Sequence, residues 1–149
     1  MTLLPIIPLA YLIYSDYKSR QVPLWVLLLF LLFQVLAFFS IESITILDLQ
    51  VNVLIVTILL LSIYVYLKLR KLSINKSIGA GDVIFLFSLT FTFKYIQFNY
   101  FLIIAFFLSL IFIILYNKIS KRNSKVQTIP LISTVGFCYV VYQIVLLLC

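Results

Sequence analysis

The sequence predicts an all-α integral membrane protein, a bundle of about six transmembrane helices with both termini on the extracytoplasmic side. Three observations predict it. Of 149 residues, 65% are hydrophobic and only 10% charged, with a mean hydropathy of +1.26; soluble domains run nearer half apolar and a quarter charged. The apolar runs are separated by short polar stretches, the two longest being 68–77 and 117–127. The basic residues, finally, alternate by loop. Lys18 and Arg20 follow the first run, Lys68, Arg70, Lys71 and Lys76 the third, and Lys118, Lys121, Arg122 and Lys125 the fifth. Only Lys94 falls in an even-numbered loop. By the positive-inside rule the odd loops are cytoplasmic.

The first segment, 2–15, has no basic region before it and no small-residue cleavage site after it, and reads as a retained span and not a signal peptide. At ~1.5 Å per residue its apolar run reaches about 21 Å, short of a ~30 Å bilayer core. Segments 22–40, 49–67, 98–116 and 129–148 are long enough to cross. The fourth, 81–93, is short again and opens on Gly79-Ala80-Gly81. Short or glycine-interrupted segments in membrane proteins often mark the functional site. The six segments use the whole chain, so residues 1–149 are expected to form a single membrane-embedded domain with no soluble domain.

Composition excludes several chemistries. There is no His, which removes zinc sites, His general bases and Ser-His-Asp triads. Cys138 and Cys149 form neither a CxxC pair nor a disulfide framework. Topology accounts for the +7 net charge, so no nucleic acid partner is needed to explain it. Acid–base chemistry is left with four groups: Asp16, Glu42, Asp48 and Asp82. Glu42 and Asp48 fall in the loop between segments 2 and 3, on the outer side, and read as solvated. Asp16 ends segment 1 and Asp82 begins segment 4, which puts both at the cytoplasmic boundary at similar depth.

Ionisable groups at such a depth are costly and call for a reason. Two carboxyls within a few ångströms cannot both ionise comfortably, so one keeps a proton while the other accepts one from water. That arrangement can hydrolyse an amide: the base activates water and the acid protonates the carbonyl oxygen or the leaving amine. The plain alternatives are an i, i+4 ion pair of Asp16 with Arg20 and a helix-capping role for Asp82.

Ser15-Asp16-Tyr17-Lys18-Ser19-Arg20-Gln21-Val22-Pro23 resembles the D-x-x-x-R-x-I/V-P segment of the type IV prepilin peptidase family, which includes the preflagellin peptidases. Gly79-Ala80-Gly81-Asp82-Val83 is similar to that family's G-x-G-D-V segment, and Ile129-Pro130-Leu131-Ile132-Ser133-Thr134-Val135-Gly136 to its C-terminal P-x(5)-G stretch. All three blocks stand in family order. The resemblance implies an aspartic-type endopeptidase of the cytoplasmic (inner) membrane, multi-pass, which removes the basic leader from prepilin-like or preflagellin-like membrane proteins at the cytoplasmic face, with roles in type IV pilus assembly or protein secretion. Asp16 and Asp82 would be the catalytic pair. Gly79 and Gly81 would let the backbone approach the other Asp-bearing helix closely. Arg20 matches a basic position of the family, though an ordinary positive-inside charge explains it equally well, and Pro23 would start segment 2. Pro130 and Gly136 are expected to kink or pack the last helix. No cofactor or metal is implied.

The chain departs from the family at Leu24, where Asn is frequent, and at Ile84, where Lys is frequent. The Cys-rich cytoplasmic insertion of the larger enzymes is absent, which points to a minimal peptidase-only form and leaves methyl transfer open. Presenilin-type proteases share G-x-G-D, but their first Asp follows a Tyr directly; here Ser15 separates Tyr14 from Asp16. Gln34, Asn52, Thr57, Ser62 and Gln143 read as interhelical hydrogen-bond partners, and Cys138 and Cys149 as inert. Two rival readings remain: a small proton-coupled transporter with the two Asp as relay groups, and a catalytically silent subunit of a pilus or secretion machine.

Overall fold

A computed structural model describes residues 4–19, 22–40, 44–70, 79–120 and 131–148 of the chain. These residues form six helices: α1 (Ile6–Ser19), α2 (Leu24–Ser40), α3 (Ile46–Leu69), α4 (Ala80–Leu89), α5 (Tyr95–Ser120) and α6 (Leu131–Leu148). There is no strand among the described residues. Each of the six expected segments is a helix. By length and composition α3 and the stretch Tyr95–Phe112 of α5 are long and apolar enough to cross a membrane, whereas the apolar parts of the other four are shorter.

The ends differ from the sequence reading for local reasons. α1 runs on through Asp16 to Ser19, because polarity alone does not stop a helix. Pro23 sets the start of α2: its carbonyl accepts from the Val26 and Leu27 N–H groups at 3.1 and 3.3 Å. α3 begins three residues earlier than expected, at a capping box in which Thr45 Oγ1 accepts from the Asp48 N–H and Asp48 Oδ2 accepts from the Thr45 N–H at 2.9 Å. α4 stops at Leu89, and a turn over 90–93 leads into α5.

α1 packs on α2 and α6, α2 on α4, α4 on α3 and α6, and α5 on α3 and α6. The core is aromatic where α2, α4, the 90–93 turn, α5 and α6 converge. Phe30 stacks on Phe85 at 5.6 Å between ring centres, Phe93 on Phe101 at 4.7 Å, and Tyr139 meets both Phe30 and Phe93 edge-on. The outer faces carry Leu54, Ile58, Leu61, Ile103, Phe107 and Leu110, all exposed. Soluble monomers rarely expose large apolar patches.

Polar groups are buried inside this apolar shell, each with a task. Gln34 is fully buried; its Nε2 donates to Tyr139 Oη at 3.0 Å and its Oε1 accepts from Thr92. Gln143 donates to the same Tyr139 oxygen at 2.9 Å. Asn52 Nδ2 donates to the Thr90 and Phe93 carbonyls at 3.2 and 2.8 Å, securing the turn that ends α4. Gln34 and Asn52 thus join different elements, as expected. Gln143 bonds within its own helix, to Tyr139, and so do Thr57 and Ser62, whose hydroxyls donate to the Val53 and Leu59 carbonyls and face outward, since a hydroxyl on a helix can satisfy itself locally. Gln34→Leu leaves the Thr92 hydroxyl without its acceptor and removes one donor to Tyr139. It is expected to cost about 2 kcal/mol, read as a lowered unfolding temperature in detergent.

Asp48 corrects the sequence reading. It is 7% exposed and, besides the capping box, accepts from the Tyr95 N–H at 3.1 Å through Oδ1. One carboxylate therefore serves the starts of both α3 and α5, where free N–H groups and helix dipoles favour a negative charge. Glu42 lies outside the described residues.

Candidate active site

Asp16 sits in the last turn of α1 and is only 6% exposed. Its Oδ2 accepts from the backbone N–H of Ser133 at 2.8 Å. Ser133 is the third residue of α6, so this N–H is one of the first-turn donors that a helix cannot satisfy internally. The carboxylate of one helix thereby completes the start of another, at the end where the helix dipole favours negative charge. The predicted ion pair of Asp16 with Arg20 cannot be placed, because Arg20 lies outside the described residues.

Asp82 is the third residue of α4. Its Oδ2 accepts from the N–H of Gly79, the residue that caps the helix, at 3.3 Å. The capping role considered for Asp82 is therefore present. The two acids, far apart in sequence, are brought to one end of the bundle, each anchored to the N-terminus of a helix.

The glycines act differently from the sequence expectation. A Cβ on Gly79 would lie 3.3 Å from Asp82 Oδ2, so the bare backbone leaves room for that carboxylate. A Cβ on Gly81 would meet Val22 Cβ at 3.6 Å and Ile132 Cδ1 at 3.8 Å, ordinary contact distances. Among the described residues α4 packs on α2, α3 and α6 and not on α1, so neither glycine brings it against the other Asp-bearing helix. The pair is bridged instead by α6, which touches both. Ile84 packs against the core, while Leu24 is exposed; neither brings a polar group to the pair.

Beside Asp16, Ile13, Ser109, Phe112, Ser133, Phe137 and Cys138 help line an apolar groove of about 480 Å³ between α5 and α6. It continues along the same two helices into a second stretch, sharing Leu108, Phe137 and Cys138 and running toward Gln97 and Tyr142. Sequence reasoning missed Ser133 as a partner of Asp16, since a backbone donor leaves no trace in residue type. The available signal was Pro130, which marks a helix start and so places the Ser133 N–H among the free donors.

Searches of curated proteins and of solved structures found no match. The sequence model of the type IV leader peptidase family matches residues 3–114, a stretch that contains Asp16, Arg20, Pro23, Gly79, Gly81 and Asp82 and ends before the block from Ile129 to Gly136. With three quarters of its length matched, the stretch that carries both acids included, the chain belongs to the type IV leader peptidase family.

Proposed function

We propose that this leader peptidase is an aspartic-type endopeptidase in which Asp16 and Asp82 form the catalytic pair and cleave the basic leader from prepilin-like or preflagellin-like membrane proteins at the cytoplasmic face. The observation that carries the reading is the placement of both acids, inside the family match, beside the first turn of α6: Asp16 accepts from the Ser133 N–H, and Ile132 lies against Gly81, next to Asp82. One carboxyl takes the proton of the attacking water and the other protonates the departing amine. Asp16, held by the Ser133 N–H, and Asp82, held by the Gly79 N–H, keep fixed orientations while the proton moves. No cofactor enters these steps.

The protein lies in the cytoplasmic membrane as a single embedded domain, with its exposed Leu, Ile and Phe side chains toward lipid. Lys18 at the end of α1 and Lys68 and Arg70 at the end of α3 support a common inner side. An apolar helix of the substrate, lying laterally in the groove between α5 and α6, would bring its inner end to Asp16. Gly79, Gly81, Pro23 and Arg20 complete the proposed site as supporting residues.

The test is direct. Purified protein is reconstituted in lipid vesicles with a leader-bearing substrate, and the new N-terminus of the product is read by mass spectrometry. Cleavage at a single junction after the basic leader is expected. Proton flux across the vesicle without cleavage would transfer the two acids to the relay reading. Substrate binding with neither would make the chain an assembly subunit.

A further inference from the structure

α6 contains a glycine whose space is already taken. A Cβ on Gly136 would lie 3.1 Å from Ile13 Cγ1, 3.2 Å from Leu9 Cδ1 and 3.3 Å from Ile13 Cδ1. All three atoms belong to α1: two are Ile13's, one of them next to its Cβ, while Leu9 contributes a terminal methyl that can shift, so Ile13 is the obstacle. Gly136 lies well inside α6, where glycine is unfavourable relative to alanine. Its return is close approach: α1 seats its apolar ridge directly on the backbone of α6.

We infer that Gly136 is a positioning residue for Asp16, setting the separation at which the first turn of α6 reaches the carboxylate. The inference rests on the proposed peptidase reading for its effect on rate, though not for the contact itself. Gly136 and Ser133 are three residues apart on α6, as are Ile13 and Asp16 on α1. At ~1.5 Å per residue each step is about 4.5 Å along its helix. The close contact and the hydrogen bond are therefore neighbouring rungs between the same two helices, and a displacement at one passes almost undiminished to the other.

Magnitudes decide how sensitive the arrangement is. Carbon atoms rest about 3.5–4.0 Å apart, so relieving a 3.1 Å contact moves the helices apart by about 0.4–0.9 Å. The Ser133 hydrogen bond, 2.8 Å long, leaves the useful range after lengthening by about 0.7 Å. Alanine at position 136 thus falls at the edge of what the bond survives, and valine beyond it.

The experiment compares wild type, Gly136→Ala, Gly136→Val and Gly136→Ala/Ile13→Ala, each checked for folding by thermal denaturation in detergent. Two readouts are taken. The first is the amide resonance of selectively ¹⁵N-labelled Ser133, assigned by its shift in Asp16→Asn. It is expected to move in Gly136→Ala and to return toward wild type in the double variant, where the shortened side chain at position 13 makes room. The second is cleavage in vesicles: about tenfold lower kcat in Gly136→Ala with KM within about twofold, deeper loss in Gly136→Val, and recovery in the double variant, as misplacing a reacting group by about 1 Å costs up to about 100-fold. An unmoved Ser133 resonance in Gly136→Ala overturns the inference. So does a kcat loss that Ile13→Ala does not restore, or a loss carried by KM, which would make Gly136 a substrate contact. If wild type cleaves nothing while the resonance behaves as expected, the peptidase reading fails and the positioning contact stands.

Discussion

Asparagine at position 16 or position 82 is expected to reduce cleavage of a leader-bearing substrate by about 1,000-fold or more, within reach of what a positioned acid or base contributes. Both variants should remain folded and membrane-inserted. The reason is geometric. Asparagine keeps a side-chain oxygen where the carboxylate had one, so the Ser133 N–H still has its acceptor at position 16 and the Gly79 N–H still has its acceptor at position 82. What is lost is the ability to take and return a proton. The double variant Asp16→Asn/Asp82→Asn should be no slower than either single one, because groups that act as a unit are not additive. The measurement is initial rate in vesicles with matched protein amounts and a thermal unfolding curve for each variant. Independent, multiplying losses would mean two separate capping residues, and an active single variant would remove that Asp from the pair.

The largest expected effect on stability lies at the other end of the bundle. Asp48→Ala strips the capping box from α3 and the acceptor from the Tyr95 N–H at the start of α5. Losing a cap costs about 1 kcal/mol and a stranded buried donor about 1–3 kcal/mol, so a total of about 3 kcal/mol is expected. Asp48→Asn keeps an oxygen for one of the two backbone donors and should recover part of the loss. Thermal denaturation in detergent, with cleavage rate measured below the transition, separates this effect from the site: Asp48→Ala should unfold early yet keep its rate while folded.

The helices were legible in the sequence because hydropathy and the placement of Lys and Arg act over whole segments, where local exceptions average out. The two acids were legible for a related reason: with four acidic residues in the chain, loop alternation alone assigns both to one end. What could not be read depended on single contacts. Asp48 looked like a loop residue because its environment is made by Thr45 and by the Tyr95 N–H, one local and one from a distant helix. Close approach is expected at Gly79 and Gly81, the glycines nearest the acid, whereas the tight contact falls at Gly136, whose packing role the sequence does suggest but whose partners, Leu9 and Ile13 of another helix, it does not. The Ser133 donor belongs to the backbone, which every residue shares.

α1 has 14 residues and α4 only 10, with Asp16 in the last turn of the one and Asp82 in the first turn of the other. At ~1.5 Å per residue these helices are about 21 and 15 Å long, against ~30 Å of hydrocarbon. In the proposed embedding a bilayer meets two different thicknesses: full height along α3 and α5, and a deficit along α1, which exposes Ile7, Tyr11 and Tyr14. Lipid must dimple or headgroups must sink there, at a cost of fractions of a kcal/mol per ångström of mismatch. In that setting the host membrane is expected to be a determinant of the peptidase's working state. Short-chain lipids, which already match the low flank, are expected to favour access to the carboxylates, and long-chain or sterol-thickened bilayers to oppose it. The same mismatch would draw together membrane proteins that thin the bilayer locally, so that enzyme and substrate could find one another through the shape of the lipid between them.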